Sequence, residues 1–190
     1  MPALFSTLAK WVVVIGSLLT GAAITATQIA VDQTAIRFWD NAHWTCSTAT
    51  GALLAMIGLR RSPADQRPIM GWFAAGLVGY FIGQLLWDLQ VLTGWNPFPA
   101  PADLFYLSLA PLIAVGLLTT LRGHLSSGEC WAAAFDILGL GTVVLALTLS
   151  LYLPRLGDTD TPTPVALVAY PVFLLTTTVT AGAVILILRL

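Results

Sequence analysis

Six stretches of this chain are nearly free of charge, and each is bounded by proline, glycine or charged residues. They run over about 8–30, 43–59, 69–92, 103–121, 130–153 and 165–190. A helix needs about 20 predominantly apolar residues to cross a bilayer, and these runs meet or approach that length. Breakers fall between them. Ser62-Pro63 and Pro68 precede the third run. Gly94-Trp95-Asn96-Pro97, Pro99 and Pro101 precede the fourth. Gly123 and Ser126-Ser127-Gly128 precede the fifth, and Pro154, Gly157, Pro162 and Pro164 the sixth. The pattern predicts an all-α fold, a polytopic transmembrane bundle of six helices, with residues 1–190 as one transmembrane domain. The first run follows Lys10 and ends in small residues, as a signal peptide does; it is read as a retained helix.

Composition agrees with the pattern. The chain is 57% hydrophobic and 9% charged, with mean hydropathy +0.86, whereas a soluble domain carries about 25% charged residues. A net charge of −1 leaves no electrostatic footprint for nucleic acid. No phosphate-binding loop, zinc spacing or nucleophile-elbow motif occurs.

Charge placement adds an orientation. Lys10, Arg60, Arg61, Arg67, Arg122 and Arg189 fall on one side of the expected helices, and only Arg37 and Arg155 on the other. The positive-inside rule then puts both termini and the Arg60–Arg67 turn in the cytoplasm. Cys46 and Cys130 fall near opposite faces, so they read as packing residues rather than a disulfide. His43 and His124 also fall on opposite faces and cannot share one haem iron within a single chain. The residues assign no metal, and leave any cofactor open.

The stretch from Trp72 to Tyr106 carries the densest candidate chemistry. Gly76, Gly79 and Gly83 form a small-residue face for close helix packing. Tyr80, Gln84 and Asp88 recur every four residues and share one helix face. A membrane carboxylate is a functional candidate by default, although Asp88 lies within a turn of the outer boundary. Asp103, after the proline run, reads as the N-cap of the fourth helix. Trp39, Trp44, Trp87 and Trp95 gather near the outer boundary, and Trp72 and Trp131 near the inner, as an aromatic belt does. Asp136, two turns into the fifth helix, reads as a polar helix–helix contact.

The run GYFIGQLLWDLQVLTGWNPFPAPADLFYLSLAPLIAVGLL resembles the N-terminal multi-helix sensory regions of bacterial diguanylate cyclases, cyclic-di-GMP phosphodiesterases and some histidine kinases. The positions that carry the resemblance are Trp72, Gly83, Trp87, Pro97-Phe98-Pro99, Ala102-Asp103, Phe105-Tyr106-Leu107 and Pro111. FDILGLGTVVLAL, with Asp136, and AYPVFLL, with Tyr170-Pro171, extend it, so it spans roughly 71–175. Gln84, Ala110 and Leu174 depart from it, standing where an acidic residue, a tyrosine and an aspartate are common. The resemblance implies a membrane-embedded sensory module in a bacterial inner membrane. The family's cyclase (GGDEF-type) output domain is absent from this sequence, so the chain is not expected to be an enzyme. The last run reaches Leu190 without a polar tail, which suggests a cut or a continuation there.

These readings place a ligand site in the outer half of the bundle, between the third, fourth and sixth helices. It comprises Gln84, Trp87, Asp88, Trp95, Asp103, Tyr106 and Tyr170. Pro171 would leave a carbonyl unpaired beside Tyr170. Aromatic walls with two carboxylates suit a small amphipathic or cationic periplasmic ligand. The competing reading is an interfacial belt with a cap and a proline kink. Beyond the lipid bilayer, the expected partners are a second copy or a membrane complex in which the chain is an accessory subunit.

Overall fold

The computed structural model describes residues 7–95, 97, 99–122 and 125–152, with single helical positions at 169, 172, 175, 177, 178 and 181. Five helices are complete in this range: α1 (Thr7–Ile29), α2 (Gln33–Arg61), α3 (Arg67–Thr93), α4 (Pro101–Arg122) and α5 (Ser127–Tyr152). No strand occurs among the described residues. Apart from those single positions, the sixth run lies outside them.

Four of the five helices are long and apolar enough to cross a membrane: Thr7–Ile29, Arg67–Thr93, Pro101–Arg122 and Ser127–Leu147. This is the helical architecture of a membrane protein. The exception is α2, which differs most from the apolar pattern. It begins at Gln33 rather than at 43, because Asp32 caps it: the Asp32 side chain accepts from the Ala35 N–H at 3.1 Å. Ten polar-leaning residues thereby join the helix, which no apolar run could reveal. At 29 residues, α2 is about 43 Å long. It packs against both α1 and α3, and most of 41–59 is at least half-buried. Neighbours shield its modest hydropathy from lipid.

Other boundaries also have local causes. Ser62 closes α2, its N–H reaching Leu59 O at 3.3 Å and its hydroxyl Gly58 O at 2.8 Å. Gly94 ends α3 in the left-handed region, φ 68° and ψ 7°, where glycine has no Cβ to clash. Pro101 opens α4, so Asp103 lies in the first turn and is not the N-cap. A proline is pre-organised for the first helical position. Ser126 caps α5 three residues ahead of the expected start, with Glu129 Oε2 accepting from the Ser126 N–H at 2.8 Å and from its hydroxyl at 2.7 Å.

Each described helix touches only its neighbours in the chain: α1 with α2, α2 with α3, α3 with α4, and, thinly, α4 with α5. The described helices thus form an antiparallel row. The register shows in paired contacts, Gly58 with Met70 and Gly51 with Leu77 across α2–α3, Gly76 with Leu109 and Gly83 with Phe105 across α3–α4.

The core is built from small residues. The buried apolar positions are alanines, from Ala9 to Ala110, together with Leu121, while leucines, valines and tryptophans point outward. Lipid tails solvate Leu as well as a protein interior does, so close approach of small residues holds such helices together. The glycine face of α3 shows this: a Cβ on Gly83 would lie 3.1 Å from Phe105 Cβ and 3.2 Å from Ala102 O. Gly76 and Gly79 meet Leu109 and Ser108 in the same seam. Gly16, against Thr50, does the same for α1 and α2. Among the described residues Asp136 makes no hydrogen bond or ion pair to another helix. Asp136 is exposed on α5, a helix with no buried residue among its described positions, which leans only lightly on α4.

Candidate functional site: a polar clamp across three helices

The turn holding Arg60 and Arg67 marks one end of the row; the polar side chains gather toward the other, here the distal end. Asp88 is 21 positions along α3 from Arg67, about 32 Å at helical rise, comparable with the whole hydrocarbon core of about 30 Å.

Four side chains form a continuous hydrogen-bonded chain there. Thr45 on α2 donates its hydroxyl to Asp88 Oδ2 at 2.6 Å. Gln84 Nε2 donates to Asp88 Oδ1 at 3.0 Å. The Tyr106 hydroxyl on α4 donates to Gln84 Oε1 at 2.8 Å. The Tyr80 ring packs on that of Tyr106, centroids 4.9 Å apart. One turn away, the Trp87 indole N–H donates to Asn41 Oδ1 on α2 at 3.2 Å. Spacing of four along α3 sets Gln84 and Asp88 on one face, and the glycine seam brings α4 close enough for Tyr106 to reach them. The result ties α2, α3 and α4 together through polar side chains.

The expected site residues divide accordingly. Gln84, Trp87, Asp88 and Tyr106 come together. Asp103 is only 8% exposed, and its Oδ2 accepts from the Ala100 N–H at 2.7 Å, so that oxygen serves the first turn of α4. Trp95 is 57% exposed. Tyr170 and Pro171 lie outside the described residues. Sequence reasoning missed Asn41 and Thr45. Their spacing of four places them on one helix face, but nothing in the sequence says which neighbour that face meets.

Two cavities flank the clamp in the seam of α2 and α3; the expected pocket between the third, fourth and sixth helices includes Tyr170 and the sixth run, which lie outside the described residues. The larger, about 730 Å³, is lined by residues including Arg37, Phe38, Asn41, Thr45, Asp88, Val91 and Leu92. The smaller, about 430 Å³, shares Arg37, Asn41 and Val91 and adds Asp40, Trp87, Gln90 and Gly94. Gln90 is 2% exposed, and neither side-chain polar atom has a hydrogen-bond partner among the described residues. His43 Nδ1, also buried, is 3.6 Å from Asp40 Oδ1, a charge contact too long for a hydrogen bond. Among the described residues no three His, Cys, Asp or Glu side chains group closely enough to hold a metal ion. One carboxylate, two carboxamides and hydroxyls beside apolar walls make a site suited to binding.

No family model matches the chain, and no curated protein or solved structure is significantly similar to it.

Proposed function

We propose that this chain is the membrane-embedded input module of a bacterial signalling protein in the inner membrane. In this reading six helices span the membrane, both termini are cytoplasmic, and the clamp lies at the periplasmic face. The observation that carries it is the chain Thr45–Asp88–Gln84–Tyr106. It joins three helices at the end of the row away from the Arg60–Arg67 turn. A ligand competing for one of these bonds would change how the helices prefer to pack. Rigid helices would carry that change across the membrane. The resemblance over 71–175 supplies the kind of output, a cytoplasmic cyclic-di-GMP or kinase domain. The chain itself contributes no catalysis.

A fusion of residues 1–190 to a diguanylate cyclase domain tests this. Opening the clamp with Thr45→Val should shift cyclic-di-GMP output several-fold relative to the parent fusion at equal protein level. Thr48→Val, whose hydroxyl bonds only within α2, should not. Equal output from all three fusions would count against an input module.

A second reading, an accessory subunit of a larger membrane complex, is favoured by α5. Its exposed face carries Trp131, Phe135 and Leu138, with Asp136 exposed among them. An outward carboxylate within an apolar span calls for a partner. Stoichiometric co-purification with one membrane protein, lost in Asp136→Leu, would favour this reading.

A further inference from the structure

We propose that the cavity of about 730 Å³ between α2 and α3 binds a small amphipathic amine, its ammonium held by Asp88. The inference rests on the reading of the distal end as the input face, but concerns binding alone. Asp88 lines the cavity, and no cationic side chain pairs with it among the described residues. Each of its oxygens accepts one hydrogen bond, from Thr45 and from Gln84. A carboxylate has about four acceptor sites, so two remain for a ligand's N–H groups. The half-buried Asp88 carboxylate attracts a cation more strongly than one in open water does.

The walls define the rest of the ligand. Phe38, Val91 and Leu92 are apolar and accept a short hydrocarbon body. The volume lies within the range of small-molecule sites, about 300–1,000 Å³. Arg37 stands eight positions before Thr45 on α2, about 12 Å along the axis. Its guanidinium disfavours a second positive group at the far end of the ligand. The chemistry selected is therefore a monoamine with a neutral or anionic tail.

Calorimetric titration of the chain in nanodiscs, with empty nanodiscs subtracted, tests this using n-hexylammonium, n-hexanol and n-hexanoate. These share one hydrocarbon body and differ in charge. n-Hexylammonium should bind about ten-fold or more tighter than either of the others. Asp88→Asn, which keeps the side chain's shape, should abolish that preference. Val91→Trp, which fills the cavity without touching the clamp, should weaken n-hexylammonium about ten-fold. It also decides the matter if Asp88→Asn fails to fold. Absent binding, equal binding of the alcohol and the ammonium, preference for hexanoate, or a folded variant that binds like the parent would overturn the proposal. Failure here leaves the input-module reading to the cyclase fusion, which needs no added ligand.

Discussion

Replacing Thr45 by valine removes one hydroxyl and keeps the side chain's volume. The lost bond runs from Thr45 Oγ1 to Asp88 Oδ2, 2.6 Å across the α2–α3 seam. Hydrogen bonds to charged groups contribute about 1.5–3 kcal/mol in soluble proteins. Interhelical side-chain bonds in membranes average about 0.6 kcal/mol and reach about 1.7. A short bond to a carboxylate belongs at the upper end of the membrane range, so the expected loss is about 1.5 kcal/mol. For a chain of this size that corresponds to a fall in Tm of about 3–6 °C. Thermal unfolding in mild detergent, followed by circular dichroism, provides the measurement. Thr48→Val is the control, because its hydroxyl reaches only Trp44 O and Thr45 O of its own helix; its loss should stay below about 0.5 kcal/mol. Combining Thr45→Val with Asp88→Ala should cost less than the sum of the two, since each removes one partner of the same bond. Equal losses for Thr45→Val and Thr48→Val, or strict additivity in the cycle, would refute the clamp.

Further outcomes follow from the packing. Gly83→Ala should destabilise by about 1–3 kcal/mol through overpacking against Phe105 and Ala102, whereas Gly21→Ala, with nothing within 4 Å of the added Cβ, should be neutral or stabilising by up to about 1 kcal/mol; the same unfolding assay separates them. Gln90→Met should stabilise or leave stability unchanged, because it removes a buried carboxamide that has no partner among the described residues, and a loss above about 1 kcal/mol would show that the amide is bonded. Ser126→Ala should cost about 0.5–2 kcal/mol by removing the hydroxyl half of the capping box of α5, read as a lower Tm with the α3–α4 seam intact.

The apolar runs foretold the helices because lipid-crossing length is written directly in hydropathy. What they missed shares one cause: helix ends and polar extensions depend on single hydrogen bonds. Asp32 adds ten residues to α2, and Ser126 with Glu129 moves the start of α5 back, neither altering an apolar run. Asp103 reads as a cap because it follows the prolines, yet Pro101 already takes the first helical position. The α3 half of the clamp was legible, since Gln84 and Asp88 lie four apart. The α2 half was not, because one sequence says which residues share a helix face but not which faces meet. Asn41 and Thr45 became visible only once the small-residue seams fixed the register of α2 against α3.

In the proposed orientation the clamp faces the periplasm and the arginine-rich turn the cytoplasm. Single cysteines at Asp65 and at Trp95, with Cys46 and Cys130 changed to serine, test this in intact cells with a membrane-impermeant maleimide. Both positions are exposed in the structure, so access depends on the side of the membrane. The account predicts labelling of Trp95→Cys from outside, and of Asp65→Cys only after the membrane is opened. Labelling of Asp65→Cys in intact cells, with Trp95→Cys protected, would contradict it.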